Sequence, residues 1–88
     1  MKNIYTIRYV ENREGDEYCG IVNNEYFSDI TAARKAMKRE YENSKKELYD
    51  EYELTDAEER KYPSAMSFSA DGRVSLSMTI LTLTPAKS

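Results

Sequence analysis

A chain of 88 residues has room for one core, and with 40% hydrophobic and 33% charged residues it is too apolar for a disordered tail. At a mean hydropathy of −0.80 it is also too polar for a bilayer span of about 20 residues. The absence of histidine and the single cysteine, Cys19, exclude zinc clusters, His-based acid/base chemistry, Ser-His and Cys-His pairs and any disulfide within the chain.

The first residues, Met1-Lys2-Asn3-Ile4-Tyr5, lead into an alternation broken by Arg8 and Glu11, which contains no signal-peptide core. Together with the unpaired cysteine this reads as a cytoplasmic protein. Residues 3–10 put Tyr5, Ile7 and Tyr9 on one face and Ile4, Thr6, Arg8 and Val10 on the other, the two-residue period of a strand rich in β-branched and aromatic types. The polar stretch Glu11–Asp16 contains Gly15 and opens into a second apolar run, Tyr18–Val22, so the two form a hairpin. Cys19 lies in that run beside Gly20 and, with no histidine to activate it, reads as a small buried hydrophobe. Asn23-Asn24-Glu25 reads as a turn.

Phe27 then precedes two N-cap candidates, Ser28 and Asp29. From there the apolar or small residues Ile30, Ala33, Met37, Tyr41, Ser44, Leu48 and Tyr52 recur at steps of three and four, one stripe down a long helix that no Gly or Pro interrupts before residue 54. Against strands of about seven residues such a helix overhangs the sheet, and its far end around Tyr49 and Tyr52 projects past the core or bends back. Thr55-Asp56-Ala57-Glu58 has the form of a capping box, which predicts a short second helix over residues 56–61, stopped by Pro63.

Residues 65–69 alternate, Asp71-Gly72 marks a hairpin, and Arg73–Leu83 is the longest strand, with Val74, Leu76, Met78 and Ile80 on one face. Pro85 ends it and Ala86–Ser88 should fray. The expected fold is a single α+β domain over residues 1–88: two layers in the order β-β-α-(short α)-β-β, with a four-stranded, largely antiparallel sheet on one long helix. The first and last strands, being the most apolar, should be central neighbours, leaving the second and third as edges.

The net charge of −3 conceals a segregation along the chain. Residues 31–46 carry six bases and two acids, whereas residues 47–59 carry seven acids and no base. Like charges repel, and carboxylates near a helix C-terminus oppose its dipole, so folding stability alone does not favour this run. One reading is a solvated face that keeps a small protein in solution. The other is an electronegative patch that docks on a basic surface of a larger protein, formed by Glu47, Tyr49, Asp50, Glu51, Tyr52, Glu53, Asp56, Glu58 and Glu59, with the two tyrosines as aromatic anchors.

An acidic domain of this size could occupy a nucleic-acid channel competitively. Phage-encoded inhibitors of bacterial nucleases, including anti-CRISPR proteins, act in that way; the parallel is one of charge and size. A second expectation is a homodimer or larger homo-oligomer, paired through a strand edge or through the face carrying Ile4, Val10, Leu81 and Leu83. A third is weak nucleic-acid binding through Arg34, Lys35, Lys38, Arg39, Lys45 and Lys46 on the helix, which the net negative charge disfavours.

The remaining chemistry is set aside on pattern. Gly15, Gly20 and Gly72 are too scattered for a phosphate loop, and Asp50-Glu51-Tyr52-Glu53 lacks the glycine and spacing of an EF-hand. Carboxylates on a convex helix end have nothing around them to exclude water or raise a pKa. We therefore expect no enzymatic activity, no metal and no cofactor.

Overall fold

The computed structural model describes residues 3–83. Six elements follow one another: β1 (Ile4–Arg13), β2 (Asp16–Phe27), α1 (Ile30–Tyr52), β3 (Ala57–Tyr62), β4 (Ala65–Ala70) and β5 (Val74–Leu83). The strands form one sheet in the order β2-β1-β5-β4-β3, and every neighbouring pair is antiparallel. An N-terminal hairpin and a C-terminal three-strand meander thus join along β1 and β5, the two most apolar strands, which pair over ten positions from Ile4↔Leu83 to Arg13↔Val74. The expected α+β fold with its central β1–β5 pair is present, with one strand more and one helix fewer.

Helix α1 starts as its sequence predicts. Asp29 has an extended backbone and its carboxylate accepts a hydrogen bond from the Thr31 amide at 3.1 Å, which satisfies one of the four amides that a helix leaves free at its start. Ala33, Ala36, Met37, Tyr41 and Leu48 are buried on its inner side. They meet Ile7, Val22, Phe68, Val74, Leu76, Met78 and Ile80 from the sheet, so the helical period of one layer closes on the alternating period of the other. The helix does not overhang. Strands β1 and β5 run ten residues each, about 33 Å at the usual rise, against about 34 Å for the 23-residue helix. Leu48 and Leu54 are accordingly buried at its far end.

The short helix expected over residues 56–61 is instead the edge strand β3. A helix of Ala-Glu-Glu-Arg-Lys-Tyr would have no apolar stripe to bury, and packing, not propensity, holds short helices. As a strand the segment completes the free edge of β4 at six positions, from Ala57↔Ala70 to Tyr62↔Ala65. The capping box does not form because the Asp71 carboxylate takes the amides of Thr55 at 3.3 Å and Asp56 at 3.1 Å. The 65–69 segment, expected as an edge, is internal for the same reason.

Two smaller expectations also change. Asn23 and Asn24, both at positive φ (54° and 53°), form not a turn but a bulge within β2, where the register to β1 shifts between Thr6 and Arg8. The buried Thr6 hydroxyl donates to the Glu25 carbonyl there at 2.7 Å. Cys19 is exposed, because pairing of Val10 with Cys19 places it on the sheet face away from the helix. Pro85 and Ala86–Ser88, expected to end the strand and to fray, lie outside the described residues.

Candidate functional site

The strand directions carry three connections to one end of the sheet. β1 runs up to the Glu14–Gly15 turn, β2 runs back, and α1 rises again, so its C-terminus meets that turn; β3 then descends and β4 rises to the Asp71–Gly72 turn at the same end. The contacts confirm the placement. The Glu14 amide donates to the Arg73 carbonyl at 2.8 Å, and the Asp71 amide to the Asp56 carbonyl at 2.9 Å. Arg13 reaches across to Glu51 at 3.1 Å.

This pole gathers Asp50, Glu51 and Glu53 from the helix end, Asp56 from the following loop, Glu14 and Asp16 from the first hairpin, and Asp71 from the second. Glu14, Asp16 and Asp71 were not part of the sequence-local run; the topology adds them. Two cations face these acids, and both are engaged. Arg13 binds Glu11 at 2.7 Å as well as Glu51; its hydrogen bond to Glu11 is the main reason its pKa lies above the ordinary arginine value. Arg73 lies 3.5 Å from Glu14 and 5.9 Å from the centre of the Tyr52 ring. Among the described residues Asp16, Glu47, Asp50, Glu53, Asp56 and Glu58 make no ion pair, so the pole keeps an excess of unpaired negative charge.

The two tyrosines expected as anchors are half-buried. Tyr49 packs against Phe68 with ring centres 5.6 Å apart, and Lys45 stands 5.7 Å above its ring. Tyr52 packs on the core beneath Arg73. Each therefore offers an edge to a visitor instead of a free ring. Glu47 lines a groove between α1 and β1–β2 with Glu11 and Glu40.

Glu58 and Glu59, neighbours on strand β3, point to opposite faces. Glu58 faces the uncovered side of the sheet, where it borders an open cleft of about 390 Å³ with Arg60, Val10 and four serines of β4 and β5. Glu59 faces the helix and is the centre of a clamp. Its Oε2 accepts from the Tyr41 hydroxyl and from the Lys45 ammonium, both at 2.7 Å, and Lys61 lies 3.9 Å from Oε1 while binding Glu42 at 3.0 Å. The bond from Lys45 holds the Glu59 carboxyl below its ordinary pKa. Burial, followed by the bond to Glu59, pushes the Tyr41 hydroxyl far above its own. Every residue of β3 is exposed, so this clamp stands in for an apolar face.

On the basic half of the helix, Lys45 is taken up by Glu59 and Arg39 lies 3.5 Å from Glu40. Arg34, Lys35 and Lys38 face solvent. Among the described residues no three of Cys, Asp and Glu come together in a group that could hold a metal, and no helix is long and apolar enough to cross a membrane.

No family model, curated protein or solved structure matches the chain.

Proposed function

We propose that this chain is a non-enzymatic protein-binding module whose acidic pole docks on a basic surface of a larger protein. One observation carries the reading. Among the described residues five non-glycines have positive φ, and three of them, Glu14, Glu53 and Asp71, are acids gathered at this pole. Glycine is the usual occupant of such positions, with Asn and Asp next, and other L-residues such as the two glutamates lose about 1–2 kcal/mol in the left-handed region. The helix dipole is opposed at the same place by Asp50 and Glu51. Asp71 is compensated by the Thr55 and Asp56 amides it accepts and Glu14 by its contact with Arg73, but Glu53 has no such partner among the described residues. An unpaired carboxylate at a strained cap, where charge already opposes the dipole, supports a site kept for contact rather than for stability.

The finer form of the proposal is that the basic surface is a nucleic-acid channel, such as that of a bacterial RNA-guided nuclease, which the carboxylates occupy in place of phosphates. Two features support it: the unpaired charge is spread over three connections, as a backbone of phosphates spreads it, and the half-buried Tyr49 and Tyr52 edges flank it.

The test uses Asp50→Lys/Glu53→Lys, chosen because neither carboxylate makes an ion pair whose loss would unfold the chain. Wild-type protein should retain a basic nucleic-acid-binding enzyme from a bacterial lysate at low salt and release it at high salt, as a charge-steered contact does. The double variant should retain none of it. Equal retention by both proteins removes the pole from consideration.

A further inference from the structure

The sheet has two open edges, and they differ. A two-fold pairing of an antiparallel edge strand with its own copy keeps both sheets facing the same way, so one residue always lies opposite itself and the rest pair symmetrically about it. In β3 each of the four inner positions, Glu58, Glu59, Arg60 and Lys61, is charged. Any self-pairing centred on one of them sets like charge against like charge, which destabilises directly opposed pairs. This edge is protected in the manner natural sheets use.

Strand β2 lacks that protection over its first part. Between the Glu14–Gly15 turn and the Asn23–Asn24 bulge, Asp16–Val22 pairs with β1 in unbroken register from Arg13↔Asp16 to Arg8↔Ile21, carries no Pro, Lys or Arg, and presents an outer edge to solvent. Its midpoint is Cys19. A copy paired about Cys19 uses the whole straight segment. Glu17 then lies opposite Ile21, Asp16 opposite Val22 and Tyr18 opposite Gly20, and no charge meets a charge.

The large and small residues also match. Gly20 is covered by the Tyr9 ring of its own chain, so closely that a Cβ there would stand 3.3 Å from it. Tyr18 is 50% exposed, and in this register the Tyr18 ring of the second copy meets Tyr9 over Gly20.

We infer that the Asp16–Val22 edge of β2 is a self-association surface that takes a second copy of this chain, joining two five-stranded sheets into one of ten strands about a two-fold axis at Cys19. The antiparallel arrangement sends the two acidic poles to opposite ends, so the inference stands independently of the docking proposed above.

Sedimentation equilibrium of wild type and Cys19→Lys tests it. Cys19 is exposed in the protomer, so the variant keeps its fold by circular dichroism, yet it sets two ammonium groups against each other at the axis. Wild type should self-associate and Cys19→Lys should sediment as a monomer. A monomeric wild type, or a dimer that survives Cys19→Lys, overturns the inference.

Crosslinking with diamide gives a second readout: it takes two electrons and two protons from the paired thiols as the disulfide forms. Opposed strand residues lie within the Cα spacing a disulfide needs. Wild type should crosslink far faster than a Cys19→Ser/Ser69→Cys control, whose thiol sits on the same open face. Equal rates count against the register.

Discussion

Removing one oxygen atom should expose what holds the edge strand β3. Tyr41 is 0% exposed, and its hydroxyl donates to the ionised Glu59 carboxylate at 2.7 Å. Tyr41→Phe deletes that donor while keeping the ring, whose edge-on contact with Phe68 at 6.2 Å is unaffected, so no cavity opens. Hydrogen bonds to charged groups contribute about 1.5–3 kcal/mol. Glu59 keeps Lys45 on the same oxygen and is 27% exposed to water, which places the loss around the bottom of that range, about 1–2 kcal/mol. For a domain of this size that is roughly 5–12 °C in Tm.

The assay is urea and thermal unfolding of wild type, Tyr41→Phe, Glu59→Ala and the double variant at pH 7. Glu59→Ala should cost more, because it leaves a buried hydroxyl without a partner, at about 1–3 kcal/mol, and frees β3 from the helix. The double variant should be markedly less destabilised than the sum of the two single changes. Additive effects, or a Tyr41→Phe melt that overlays the wild type, would refute the clamp.

Four further outcomes follow from the same geometry. Because the Glu59 carboxyl lies below its ordinary 4.5 in the folded chain, its contribution is present above that value and is lost as pH falls through the folded pKa; Glu59→Gln should flatten the acid limb of the stability–pH curve. Tyr41 is displaced in the other sense, above 10.0, so its contribution is complete below pH 10 and declines as pH rises, and absorbance titration should show one tyrosine ionising only with unfolding. Glu53→Gly should stabilise by about 1 kcal/mol, since glycine accepts φ of 51° and a charge opposing the helix dipole is removed; an unchanged or lower Tm would mean that the left-handed cap is not strained. Asp71→Ala should cost about 1–2 kcal/mol by leaving the Thr55 and Asp56 amides without an acceptor, with hydrogen exchange accelerated first in β3.

The long helix was legible because it breaks no rule: its stripe, its Asp29 cap and its uninterrupted length all agree. The β1–β5 pair was legible because apolar content identifies strands buried on one face in the middle of a sheet. Strand β3 was not, because Glu58, Glu59, Arg60 and Lys61 carry no two-residue hydrophobic period, and what fixes them is the Asp71 carboxylate, 15 residues away from the amide of Asp56 that it accepts. That omission has a consequence beyond one element. A missed strand inverts the direction of every strand after it, so a chain read without β3 sends the Asp71–Gly72 turn to the far end of the sheet, away from the helix C-terminus. Asp71 was therefore absent from the sequence-derived site. Cys19 failed for a simpler reason: the run Tyr18–Val22 has no polar residue to show which side faces out.

The corrected topology changes what the acidic run is. Along the chain it is a block of seven carboxylates, and solubility could account for that alone. In space the block divides. Glu59 turns inward and ties down β3, Glu58 goes to the uncovered face, and Glu51 pairs with Arg13. What remains unpaired at the pole is joined by acids from two hairpins remote in sequence, and at Glu53 the backbone is held in the left-handed region by a carboxylate that has no partner among the described residues. A surface selected only for solubility has no reason to place Glu53 where glycine would fold better, since any exposed position in β1 or α1 would serve as well. The docking proposed above gives the hairpin tips and helix terminus one common role, three connections that present their negative charge together to something positive.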